Sequence, residues 1–218
     1  MSRPVIVVVG AGPGVSGSVA RRFADEGYDV ALLAQEQQVL DDLVPDLEAR
    51  GATVGHAVAD VTDEQAARDA VRRFGEHTRR IDVLHFNPSA FRAKDPLTLT
   101  VAELLEDVAL GVGALLTVVQ AARPFMSEGG RISVTGSVAA DDPWEGAASL
   151  GVQKAGVRNL VQSLDKRLAP EGVRAVSVTV HGALAREGAF TPDLVAHAIW
   201  AAVAREESQW SSEVPYRG

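Results

Sequence analysis

The chain has 218 residues, is 46% hydrophobic and carries a formal net charge of −8. It can bury a full core, and it lacks the clustered Lys and Arg that nucleic acid or an anionic membrane surface requires. It has no cysteine, and its five histidines (56, 77, 85, 181 and 197) show no metal-ligand spacing, so disulfides, thiol catalysis and zinc-ribbon sites are excluded, no metal is expected and a small-molecule partner is expected.

Val5 to Val9 is apolar at every position, the pattern of a strand buried on both faces of a parallel sheet. It is too short for a membrane span or a signal h-region and runs straight into glycines, so a cytoplasmic protein is expected. A helix is then predicted over 14–27, a strand over 30–34, a helix over 36–50, a strand over 53–58 and a helix over 63–78. Strand 81–86 precedes a long helix over 101–127, strand 131–135 a helix over 147–168, and strand 173–180 a helix over 192–206, with a last weak strand at 213–216. No linker or low-complexity tract divides residues 1–218, so one domain is expected. Because parallel strands need crossovers, the alternation implies an α/β doubly wound parallel sheet, a Rossmann fold in three αβα layers. Ligands in such folds collect at the carboxyl ends of the strands.

Gly10, Gly12, Gly14, Ser16 and Gly17 follow the first strand and open a helix. In that context glycines let backbone amides approach a pyrophosphate while the helix N-terminus supplies partial positive charge. The bland reading is a tight strand-to-helix turn, and methyltransferase-like and flavin-binding folds carry glycine loops at the same place.

Gly10 and Gly14, then Asp60-Val61, Ile81-Asp-Val-Leu84, Asn87, Ser137 and Lys154, occur in an order that resembles the short-chain dehydrogenase/reductase family over nearly the whole chain. The resemblance implies an NAD(P)-binding oxidoreductase acting on a small carbonyl or alcohol. It implies that Asp60 and Val61 contact the adenine, Asp60 accepting from its exocyclic amine. Two loops depart from the family pattern: Ser16 stands at the last glycine of the motif, with Gly17 after it, and Phe86-Asn87-Pro88-Ser89 replaces Asn-Asn-Ala-Gly. Pro88 removes a backbone donor and stiffens that wall. At the end of the second strand, where an acid favours NAD and a base NADP, the chain has Gln35 and Glu36. NAD is slightly preferred, and Glu36 reads equally as a first-turn helix acid.

In this family a Ser polarises the substrate oxygen, a Tyr thirteen residues later exchanges its proton, and a Lys four further on binds the nicotinamide ribose. Here the positions are Ser137, Leu150 and Lys154. Residues four apart share a helix face, so the spacing survives while an aliphatic side chain stands where the proton donor belongs. The supporting Asn should fall near Leu110, also aliphatic. Leu150 cannot act as general acid or base, and losing such a group costs about 10²- to 10⁴-fold. Ser149, His85, Asp141, Asp142 and Glu145 are conceivable substitutes, and His181, beside Gly182, is the best placed. Each has a bland alternative: Ser137 a loop cap, Lys154 an exposed helix lysine, His181 a loop histidine.

After Gly182 only 36 residues remain, so a short substrate lid is expected at about 183–191, with Phe91 and Trp144 as candidate cleft walls. The resemblance implies a homodimer or homotetramer formed through the helices at 101–127 and 147–168. Against the oxidoreductase reading stands a dinucleotide-binding sensor or partner subunit without turnover.

Overall fold

The computed structural model describes residues 3–218. Seven parallel strands form one sheet: β1 (Val5–Val9), β2 (Asp29–Ala34), β3 (Val54–Val58), β4 (Val83–Phe86), β5 (Arg131–Ser137), β6 (Arg174–Val180) and β7 (Glu213–Tyr216), in the order β3-β2-β1-β4-β5-β6-β7. The strand order reverses between β1 and β4, the switch point at which doubly wound sheets bind ligands.

Alternation along the strands explains why β1 is apolar throughout. Ile6 and Val8 pack with α1 (Val15–Asp25), α2 (Gln37–Ala49) and α7 (Pro192–Val203) on one face. Val7 and Val9 pack with α3 (Glu64–Thr78), α5 (Ala114–Ala122) and α6 (Ala148–Leu168) on the other. Both sets are fully buried, and each such side chain contributes roughly 1.5–3 kcal/mol by leaving water. Asp63 caps α3 by accepting from the Ala66 amide, and Thr100 and Glu103 form a reciprocal capping box at the start of α4 (Val101–Val108), each satisfying helix-end donors.

The long helix predicted over 101–127 is broken. After α4 comes a π-helical turn, Ala109–Gly113, then α5 and a 3₁₀ turn, Arg123–Phe125. Within that turn Gly111 admits a side chain of α6: a Cβ there would stand 2.6 Å from Gln153 Oε1. Such π-turns occur frequently at functional sites. β5 runs two residues past its predicted end, to Ser137, because each added residue pairs with β6, Ser137 opposite Val180. Among the described residues no helix is long and apolar enough to cross a membrane.

Candidate cofactor cleft and active site

The loop after β1 is built for close approach. Gly10 adopts φ +74°, and a Cβ there would lie 2.8 Å from Pro88 Cγ, so the Pro88 ring rests directly on its backbone. A Cβ at Gly14 would meet nothing within 4 Å, which leaves the N-cap of α1 open. No side chain caps that helix and its first turn holds no acid, so its leading amides lack an intrahelical acceptor and present the positive end of the dipole. The departure at Ser16 is resolved next door: Ser16 is buried, and a Cβ at Gly17 would stand 2.5 Å from the Gly12 carbonyl oxygen. Gly17 therefore provides the close packing of the loop on α1.

A cleft of about 390 Å³ opens at the carboxyl ends of β1 to β4. It brings together Gly10, Gln35, Asp60, Val61 and Leu110, with Pro88 and Ser89 as one wall. Gly12, Gly14, Ser16 and Asn87 do not line it; the Asn87 amide donates to the Val9 carbonyl at the end of β4. Asp60 Oδ1 accepts from the Thr62 amide (2.8 Å) and hydroxyl (2.7 Å). The Thr62 hydroxyl and amide hold its carboxyl below the usual carboxylate range, so Asp60 is a carboxylate at neutral pH. Glu36, exposed at the N-cap of α2, makes no capping bond.

The second cluster lies at the end of β5. Ser137 Oγ accepts from the Ala139 amide at 3.2 Å, so the capping reading holds, and the hydroxyl proton remains available for donation. The Lys154 ammonium is buried and donates to the Thr135 carbonyl at 2.9 Å, which rules out an exposed helix lysine. Burial pulls it down to about 8, because a low-dielectric site disfavours the charged form. Leu150 stands half-buried one turn earlier on α6.

His181 follows Val180, the strand partner of Ser137, and its amide donates to the Tyr216 carbonyl. His85, by contrast, is fully buried in β4, its Nδ1 2.9 Å from Ser133 Oγ, and burial depresses its pKa to about 3. It is neutral at physiological pH and is no proton source for a cleft. Ser149 is also fully buried. Asp141 is engaged by Arg158 at 2.5 Å.

Sequence reasoning missed two positioning groups. Gln153 Oε1 accepts from the Ala90 amide at 3.0 Å, and its Nε2 donates to the Ala90 carbonyl at 3.3 Å, which pins the loop after β4 to α6. Arg92 forks onto buried Asp107 (3.0 and 2.9 Å), tying the same loop to α4, and holds that carboxyl below its usual range. The only signal for Gln153 was a long polar side chain amid small residues beside Lys154; residues 92 and 107 carry none. Beyond this loop, Phe91 and Trp144 are exposed and stacked, with ring centroids 6.1 Å apart.

The short chain dehydrogenase family model matches residues 4–185. Sulfoacetaldehyde reductase 2 of Chromohalobacter salexigens is 30% identical over 178 residues, covering 80% of this chain and 70% of that protein. Tropinone reductase-like 3 of Erythroxylum coca is 25% identical over 76% of this chain and 65% of its own length. Among solved structures, a short chain dehydrogenase from Burkholderia cenocepacia in complex with NADP is 27% identical, with TM-score 0.89 over 99% of this chain and 96% of that one. A dehydrogenase/reductase from Sinorhizobium meliloti, 22% identical, reaches TM-score 0.90 over 99% and 94%. This chain belongs to the short-chain dehydrogenase family.

Proposed function

We propose that this protein binds NAD or NADP and is an oxidoreductase for a small carbonyl or alcohol, with a degenerate active site in which His181 exchanges the proton in place of residue 150. The observation that carries this reading is the buried Lys154 one helical turn after Leu150: the dinucleotide pocket is kept while its usual proton donor is gone.

The open backbone at Gly14, the uncapped start of α1 and the cleft between Gln35, Asp60 and Pro88 fit a dinucleotide. When bound, that cofactor supplies or accepts the hydride. The chain's own residues do the rest. The glycine loop of Gly10, Gly12, Gly14 and Ser16 receives the pyrophosphate, Asp60 and Val61 the adenine, Gln35 the adenosine ribose, and Asn87 the wall beside them. Lys154 holds ribose hydroxyls, and Ser137 orients the substrate oxygen. NAD is preferred, because among the described residues no Lys or Arg lines the cleft to meet a 2′-phosphate, and the Glu106 and Asp107 carboxylates there are already paired with Arg92.

The unit is one domain over 1–218, with residues 183–191 as a short lid. Exposed Val101, Leu105, Leu116 and Val152 on α4, α5 and α6 support a homodimer or homotetramer through those helices. A cytoplasmic location belongs to the same proposal. Leu150 and Leu110 together favour a second reading, a dinucleotide-binding sensor or partner subunit without turnover.

Fluorescence titration with NADH and NADPH tests both readings; no saturable response to either at about millimolar concentration sinks them. Assays on a carbonyl panel then separate the two. Native activity lost in His181→Ala supports the oxidoreductase, whereas activity that appears only in Leu150→Tyr supports the sensor.

A further inference from the structure

A second groove, of about 450 Å³, opens at the β3 edge of the sheet, reaching the amino ends of β1, β2 and β3 and away from the dinucleotide cleft. On the α3 side its floor is apolar, made by Ala57 and the Phe74 ring, and its lining also carries Arg73, His56 and His77. Gly55 exposes that floor: a Cβ there would have only Phe74 carbons near it, at 3.8 and 3.9 Å.

The rim holds the Arg73 guanidinium, in a chain of net charge −8. Most of this protein's arginines are paired, as Arg21 with Asp46, Arg50 with Asp25 and Arg174 with Asp165. Even within the groove, Arg3 faces Asp29 at 3.7 Å and Arg80 pairs with Asp82 at 2.5 Å. Among the described residues, Arg73, His56 and His77 make no ion pair. All three are exposed, so they carry their polar groups in water at the lip of an apolar slot.

We propose that this groove is a second ligand site, for a small amphiphilic organic anion: a carboxylate or phosphate monoester with an aliphatic or aromatic body. The body lies on Phe74 and Ala57, and the anionic head meets the Arg73 guanidinium, whose planar fork suits either head group. The volume falls within the roughly 300–1,000 Å³ range of small-molecule sites. A purely apolar ligand would leave the rim unused, and an inorganic anion would leave the floor bare. The site shares no lining residue with the dinucleotide cleft, so the inference stands apart from the cofactor reading.

The test is calorimetric titration of the full chain with octanoate and with phenyl phosphate, using octanol and inorganic phosphate as controls that carry only the body or only the head. Two variants report on the groove: Arg73→Glu at the rim and Gly55→Leu, which fills the slot. Unchanged melting temperature and an unchanged far-ultraviolet circular dichroism spectrum show that each variant is folded. At least one amphiphilic probe is expected to saturate with Kd at or below about 1 mM. It should weaken about tenfold or more in both variants and bind about tenfold more tightly than either control. Absence of saturation by both probes up to about 10 mM overturns the site. So does affinity unchanged in Arg73→Glu, or displacement of the probe by saturating NADH.

Discussion

Gln153 and Gly111 interlock: the carboxamide of Gln153, carried one residue before Lys154, occupies the space a side chain at 111 would need, 2.6 Å from its Cβ position. The same carboxamide holds both backbone groups of Ala90. Gly111→Ala must therefore push Gln153 off that loop, at a cost of about 1–3 kcal/mol. Thermal unfolding should register the loss, and Gly111→Ala should be far milder in a Gln153→Ala background, because residues in contact are not additive. Equal penalties in the two backgrounds would show that the contact is unimportant.

Burial of His85 is expected to make the protein acid-sensitive. The buried ring is neutral when folded, with its pKa at about 3, whereas an unfolded histidine takes up a proton near 6.5. The unfolded state then binds more protons between about pH 6.5 and 3, so stability is intact above that window and falls as pH drops through it. The full window is worth on the order of 5 kcal/mol. Denaturant titrations at pH 7 and pH 4 should give a shallower pH slope for a His85→Leu, Ser133→Ala double variant, which also removes the hydroxyl partner. A slope equal to that of the native chain would assign acid lability elsewhere.

Lys154 acts at the alkaline end. Its folded pKa of about 8 lies below the ordinary 10.5, so between those values the unfolded state binds more protons and stability of the cofactor-free protein rises with pH. The gain is about 3 kcal/mol over that interval. Lys154→Met should abolish the rise and weaken NADH binding about tenfold or more, an effect of roughly 1.4 kcal/mol. Undiminished NADH affinity would remove the ribose role.

The proposed preference for NAD rests on a cleft with no Lys or Arg among its described lining residues. NADH is expected to bind about tenfold more tightly than NADPH, roughly 1.4 kcal/mol, and Gln35→Arg should reverse the order by giving a 2′-phosphate its missing cation. Tighter NADPH binding by the native chain would defeat this preference.

Sheet strands were legible because a doubly covered strand such as β1 must be apolar at every position, and helices because each crossover buries one stripe. Legibility ended where distant residues decide the outcome. The close packing at Gly111 involves a side chain from α6, forty-two positions later, and no local pattern announces it. Spacing placed Ser137, Leu150 and Lys154 at one strand end and one helix start, but could not distinguish an exposed lysine from a buried one. His85 looked like a strand-end histidine; only the packed sheet makes it a core group bonded to Ser133. Arg92 and Asp107 are joined by a loop whose path follows from that bond.

Tyr216, the last residue of β7, donates its hydroxyl to the Ala189 carbonyl, and its ring meets Phe190 edge-on at 5.7 Å. The proposed lid is thus latched to the outermost strand. Lifting it would break that latch, and the strand below is held on one side only. On the lid proposal, substrate admission and fraying of β7 would draw on one local opening equilibrium, and amide exchange along Glu213–Tyr216 would gauge how often residues 183–191 lift.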